Sequence, residues 1–154
     1  MSTSDGLRLH ATLRGSGWPF YRIQWSPDGR FIAAPAEDGV IWLWNASTAS
    51  VHEEVSAGAS HVSNVAWSPD GRKLAYASAD IHLYDVERKT TSKFSSGHSH
   101  SIWSMAWSPS GDRLVSASYD RTVRLWDPGT GQLLLTLTGH SDEVNCVLWS
   151  PGGE

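Results

Sequence analysis

Ser116, His98 and Asp120 fall within one short stretch of the chain, and those three side-chain types are the ones a hydrolytic relay uses. Such a relay needs an exposed nucleophile beside an oxyanion site, whereas the same groups buried together need every donor satisfied and then act as a strut. His98, His100 and His140 suggest a metal set, but no cysteine or carboxylate completes a ligand spacing around them. Cys146 is the one cysteine, so it can form no intramolecular disulfide, and within an expected strand over Val144 to Trp149 it reads as a small buried hydrophobe. No Gly-rich turn leads from a strand into a helix, as a nucleotide phosphate would require. These residues therefore imply no catalysis and no cofactor or metal.

The elements that hold them are set by a repeat. Nine tryptophans and 14 glycines in 154 residues are too many for an ordinary chain and mark self-similarity. Trp25-Ser26-Pro27-Asp28-Gly29-Arg30 returns at Trp67 to Arg72, at Trp107-Ser108-Pro109-Ser110-Gly111-Asp112, and at Trp149-Ser150-Pro151-Gly152-Gly153-Glu154, at intervals of 42, 40 and 42 residues. Ile41-Trp42-Leu43-Trp44-Asn45, Ile81-His82-Leu83-Tyr84-Asp85 and Val123-Arg124-Leu125-Trp126-Asp127 keep the same period, and Gly97-His98 and Gly139-His140 each precede their tryptophan by ten residues. Between these landmarks lie short β-branched or aromatic runs bounded by turn residues, with no sustained 3.6-residue apolar period. In Ser-Pro-Asp-Gly, proline presets φ, aspartate bonds its own backbone and glycine takes positive φ, so each copy predicts a hairpin. The clearest unit predicts strands at Ile102 to Trp107, Arg113 to Ser118, Thr122 to Trp126 and Gln132 to Thr138. The fold class is all-β.

Periods of about 40–45 residues with Gly-His and Trp-Asp signatures belong to propeller blades. From Leu7 to Glu154 the chain resembles the WD-repeat family, and its tryptophan before Ser-Pro-Asp-Gly is similar to bacterial members. The resemblance implies a WD-repeat β-propeller of about three and a half four-stranded blades, an incomplete ring, with units at 7–44, 51–84, 90–126 and a truncated 132–154. It further implies a structural tetrad of His98, Ser116 or Ser118, Asp120 and Trp126, hydrogen-bonded to one another, so that His98→Ala costs about 1–3 kcal/mol. Unit one has Ser16 for the histidine and Ala34 for the serine, retains Asp38 and Trp44, and carries Pro35 inside its second strand, where a lost donor predicts a bulge or edge distortion. Unit two has Gly58, Tyr76 and Tyr84 for the histidine, serine and tryptophan, and the turn after Asp80 is two residues shorter. Both units are expected to rely on apolar packing.

A blade cannot bury both faces alone, so neighbours must stack. The expected apolar set is Ile23, Trp25, Ile32, Ile41 and Leu43, continued by Val65, Trp67, Leu74, Met105, Trp107, Leu114, Val123 and Leu125. Leu7 to Leu13 reads as an outermost strand without its partners, the N-terminus as native, and the C-terminus as a truncation of a longer protein; self-assembly through open edges is the alternative.

Function in such folds lies on loops. Trp18, Trp42 and Trp103 depart from the repeat, and Trp103 aligns with Tyr21, Ser63 and Asn145 at the start of the innermost strand. The resemblance places that position on a narrow, partner-binding face. It implies a contact surface of Tyr21, Glu37, His61, Ser63, Trp103, Tyr119, Glu143 and Asn145; alternatively Trp103 fills an interblade gap. The partner implied is a protein or peptide. A formal net charge of -4 argues against nucleic acid or an anionic membrane surface, and pairs such as Arg72-Lys73 and Arg88-Lys89 read as solvated loop charges. No apolar run approaches the ~18 residues of a membrane helix, and no leader pattern opens the chain, so the expected location is cytoplasmic. The reading is a non-catalytic interaction scaffold within a signalling or regulatory protein; the competing classes are a carbohydrate-binding propeller and a propeller enzyme with a central-channel site.

Overall fold

A computed structural model describes residues 11–15, 17–58 and 62–153. The described residues contain twelve strands and no helix, arranged as three four-stranded antiparallel sheets. Blade 1 is β1 (Gln24–Trp25), β2 (Phe31–Pro35), β3 (Val40–Asn45) and β4 (Val51–Ser56); blade 2 is β5 (Val65–Trp67), β6 (Lys73–Ala77), β7 (Asp80–Asp85) and β8 (Thr90–Ser95). Blade 3 is β9 (Ile102–Trp107), β10 (Leu114–Ser118), β11 (Val123–Trp126) and β12 (Leu133–Leu137). The sequence units begin one strand out of phase with these sheets, because Val51–Ser56 pairs with Val40–Asn45 rather than opening the next blade.

Each β1–β2-type connection is the Ser-Pro turn. The glycine amide returns to the serine carbonyl at 2.9 Å in all three blades, and Gly29, Gly71 and Gly111 sit at φ of 72°, 70° and 78°, where a Cβ would be strained. The serine hydroxyl also accepts an amide at the start of the next strand, at 2.9 Å from Phe31 and 2.9 Å from Lys73, or just before it, at 3.0 Å from Arg113. The turn thus pins the register of both strands it joins.

Blades hold together in two ways. Apolar clusters straddle each junction: Phe31, Leu43 and Val55 meet Val65, Trp67 and Tyr84; Ala75, Ile81 and Leu83 meet Met105, Leu114 and Trp126; Val115 and Val123 meet Val144 and Trp149. Burial of each such aliphatic contributes about 1.5–3 kcal/mol. Secondly, the tryptophan before each Ser-Pro turn after the first donates its indole N–H to the preceding blade. Trp67 reaches the Gln24 carbonyl at 3.4 Å, Trp107 the Ala66 carbonyl at 3.1 Å and Trp149 the Ala106 carbonyl at 3.1 Å. In each case the acceptor is the residue before the previous blade's own tryptophan, so one latch repeats along the arc. Trp107→Phe is expected to lower stability by about 1 kcal/mol in urea denaturation, by orphaning the Ala66 carbonyl. Trp25→Phe should change it by less than about 0.5 kcal/mol, because the Trp25 indole is exposed and latches no carbonyl among the described residues.

That absence corrects part of the expected core. Ile23 and Trp25 are 61% and 60% exposed, since no described segment covers the leading face of blade 1. The trailing end differs as well. Val144 to Trp149 packs on blade 3 but is not a strand, because no described strand pairs with it, and Cys146 is consequently exposed rather than buried. Of the expected strand at Leu7 to Leu13, residues 7–10 lie outside the described residues and 11–13 are irregular. Pro35 perturbs one side of its strand. Its carbonyl accepts the Tyr21 amide at 3.0 Å, so its missing N–H faces the innermost segment. There β1 is cut to two residues, while β2–β3 pairing stays in register from Phe31–Asn45 through Pro35–Ile41.

Candidate functional site

The strands of blade 3 carry a continuous chain of hydrogen bonds. The Trp126 indole on β11 donates to Ser116 Oγ on β10 at 2.9 Å, Ser116 Oγ lies 2.9 Å from His98 Nε2, and His98 Nδ1 lies 2.7 Å from Asp120 Oδ2. The order Trp126, Ser116, His98, Asp120 assigns one proton to each link if the imidazole is neutral with its hydrogen on Nδ1. Ser118, the other serine considered for this position, instead donates to the His100 carbonyl at 3.0 Å and accepts the Asp120 amide at 3.0 Å. Asp120 gathers further donors: Thr122 Oγ1 at 2.6 Å, the Thr122 amide at 3.0 Å and the Ser99 amide at 3.1 Å. Sequence reasoning missed Thr122, although a threonine two residues after a turn aspartate is a recognisable capping pattern.

Burial alone would raise the Asp120 carboxyl, but the hydrogen bonds from Thr122, His98 and Ser99 outweigh it and hold the group well below the usual carboxylate range. Burial holds His98 below its ordinary range against the pull of Asp120, with Arg124 pushing the same way as burial. The imidazole is neutral at pH 7, as the single-direction chain requires. Although Ser116, His98 and Asp120 have the connectivity of a hydrolytic relay, Ser116 is fully buried and its oxygen already accepts the Trp126 indole, so no substrate carbonyl can reach it.

The sign of the pH effect follows. A histidine whose folded value is depressed stabilises the fold above its unfolded value of about 6.5, and that stability is lost as pH falls through the interval below it. His82 in blade 2 is depressed by burial too, so both contribute. The melting temperature is expected to fall between pH 7 and pH 5, and to fall less in His98→Gln and in His82→Gln, read by differential scanning calorimetry at both pH values.

Blades 1 and 2 replace the network with other polar ties, which apolar packing alone did not anticipate. With Ala34 in the serine position, the Trp44 indole donates to the Arg14 carbonyl at 3.0 Å and Phe20 packs edge-on to it at 5.4 Å. Ser16 lies outside the described residues. In blade 2 the two-residue connection Ser78-Ala79 brings Ser78 Oγ to 3.1 Å from His82 Nε2, and the His82 ring stacks on Tyr76 at 4.8 Å.

At the end of β9 opposite the Ser-Pro turn, Trp103 and Tyr119 stack with ring centroids 5.0 Å apart and 21° between planes, both half-buried. The Tyr119 amide donates to the Ser101 carbonyl at 3.1 Å and the Val144 amide to the Ser118 carbonyl at 3.1 Å, so exposed Glu143 and Asn145 run beside the aromatic pair. Tyr21 and Glu37 occupy the matching place in blade 1. The Tyr21 and Glu37 amides donate to the Pro35 and Pro19 carbonyls, both at 3.0 Å, and both residues are exposed. Ser63 does not face solvent: it is 7% exposed and its hydroxyl donates to the Ile102 carbonyl at 3.0 Å, tying blade 2 to blade 3. His61 lies outside the described residues. Trp18 is 56% exposed, and Trp42 is half-buried, 6.1 Å from the Trp44 ring.

Sheets of four antiparallel strands stacked through a Trp-Ser-Pro repeat, with a Trp-Ser-His-Asp network in one of them, define the class: the chain belongs to the WD-repeat β-propeller family. The family model described as WD domain, G-beta repeat matches residues 88–127 and 131–154, and that of the anaphase-promoting complex subunit 4 WD40 domain matches residues 14–68. Among solved structures the chain is similar to U3-55K, with a TM-score of 0.81 and 28% identity, covering 87% of this chain and 43% of that one. It is similar also to the RRP9 WD40 repeats, with a TM-score of 0.80 and 27% identity over 87% of this chain and 43% of that one. The chain therefore spans less than half the length of the solved structures it matches.

Proposed function

We propose that this chain is a non-catalytic interaction module that presents the Trp103 end of its blades to a protein or peptide partner. The observation that carries this reading is the stacked Trp103–Tyr119 pair, half-exposed and bordered by Glu143 and Asn145. Stacking holds both rings before any partner arrives, so little side-chain entropy remains to be lost on binding. Large aromatic groups rimmed by polar ones are the usual anchors of protein interfaces. The module belongs, on this reading, to a longer signalling or regulatory protein of the cytoplasm, with further blades beside the exposed leading face of blade 1.

The test is a Trp103→Ala, Tyr119→Ala double variant of the full-length protein, compared with the parent by cross-linked affinity capture and mass spectrometry. A variant that keeps its melting temperature within about 2–4 °C of the parent but loses specific partners supports the reading. An unchanged partner set removes this face.

A further inference from the structure

The junctions between blades are not filled alike at the Ser-Pro end. Between blades 1 and 2 the Phe31 ring lies over Trp67, with centroids 6.4 Å apart and 14° between planes, and Phe31 is 8% exposed. One period later the same place is held by Lys73, which opens β6 half-buried rather than lying in a loop. A flexible alkyl stem does not replace a phenyl ring. A cleft of about 620 Å³ stands open there, with Trp107 in its lining, Pro69 and Pro128 as apolar walls, and Lys73 and Arg113 among its charged groups. That volume falls within the range of ligand-binding clefts, about 300–1,000 Å³.

The charges lining the cleft are not equally available. Asp70 accepts Ser68 Oγ at 2.6 Å and the Arg72 amide at 3.1 Å, Asp127 accepts the amides of Gly129 at 2.8 Å and Thr130 at 3.1 Å, and Asp112 accepts Ser108 Oγ at 3.1 Å and pairs with Arg113 at 3.5 Å. These carboxylates are committed to their own turns. The Lys73 ammonium makes no ion pair among the described residues. What remains for a partner is thus the exposed part of the Trp107 ring, whose N–H stays on the Ala66 carbonyl, and a cation.

We propose that this cleft is a second docking site, for a partner segment that carries an aromatic side chain next to a carboxylate. The ring takes over Trp107 the place that Phe31 takes over Trp67, and the carboxylate pairs with Lys73. The site lies at the opposite end of β9 from Trp103, so it does not depend on the narrow-face reading and leaves that face free for a different partner.

The experiment titrates ¹⁵N-labelled protein with the capped peptide Gly-Asp-Phe-Asp-Gly and follows the Trp107 indole resonance. Its controls are Gly-Asp-Ala-Asp-Gly and Gly-Asn-Phe-Asn-Gly. The expected result is a saturable shift of Trp107, with affinity reduced about tenfold when the phenylalanine becomes alanine and reduced again when the aspartates become asparagines. Lys73→Phe, which rebuilds the stack of the first junction, should abolish the shift. Lys73→Gln, which leaves the cleft open, should remove the difference between the Asp and Asn peptides, and it decides the matter alone if Lys73→Phe does not fold. Equal affinity for the Phe and Ala peptides, an unmoved Trp107, or an Asp preference that survives in Lys73→Gln would overturn the proposal.

Discussion

Replacing Trp126 with alanine is expected to lower the unfolding free energy by about 3–5 kcal/mol, which makes it among the most damaging single changes in the chain. The indole is 2% exposed and packs with Leu114, Met105 and Ile81, with the Phe94 ring 5.4 Å away. Its removal leaves a cavity at the junction of blades 2 and 3. It also strips Ser116 Oγ of its donor in a place no water reaches. Trp126→Phe separates the two effects: it restores most of the apolar contact but not the N–H, and should cost about 1–2 kcal/mol. Urea denaturation of the three proteins measures both. A Trp126→Phe variant as damaged as Trp126→Ala would mean that the hydrogen bond, not the packing, dominates.

Asp120→Ala is expected to cost about 3 kcal/mol, because four donors converge on that carboxylate and only His98 Nδ1 has another acceptor close by, Thr122 Oγ1 at 3.3 Å. They are His98 Nδ1, Thr122 Oγ1 and the amides of Thr122 and Ser99. With its side chain 6% exposed, the group gains little from water in the folded state, so solvent cannot replace the lost oxygens. Asp120→Asn should recover part of the loss, since one amide oxygen still accepts while the amide nitrogen opposes the remaining donors. The variant also reports on pH. Asp120 has a depressed folded value, so its contribution is present above the unfolded value of about 4 and is lost as pH falls below it. Asp120→Ala should therefore flatten the stability profile at the acid end, below the interval governed by His98 and His82. Denaturation midpoints between pH 3 and pH 5 test this, and parallel profiles for parent and variant would contradict it.

Features written in local chemistry were legible in the sequence. The Ser-Pro-Asp-Gly turn carries its own geometry, and Ile102–Trp107 forms a strand with the ends that its pattern implies. The pairing of His98 with Asp120 and with Ser116 or Ser118 was implied by the family resemblance, and the structure puts Ser116 on the imidazole while Ser118 binds the His100 carbonyl. Features that depend on a neighbour were not legible. Ile23 and Trp25 repeat the buried pattern of Val65 and Trp67, yet stand exposed, because periodicity specifies which face is apolar and not whether something covers it. Val144 to Trp149 has the composition of β9 but pairs with no strand among the described residues, and composition alone cannot supply the partner. Ser63 matches Trp103 in register, but its short side chain reaches the Ile102 carbonyl instead of solvent. The Trp44–Arg14 and Ser78–His82 ties arose where the motif was broken, out of groups whose meeting depends on loop length.

The stacked blades join through apolar clusters and through indole N–H groups passed from one blade to the one before. Solvent exchange of the tryptophan indole protons in this 154-residue chain, resolved in a ¹H–¹⁵N spectrum, reads that arrangement directly. Trp107 and Trp149, whose indoles reach the preceding blade, should exchange slowly, while Trp25 exchanges at nearly the rate of free indole. If Trp107 and Trp149 exchanged as fast as Trp25, the blades would not be latched in this way.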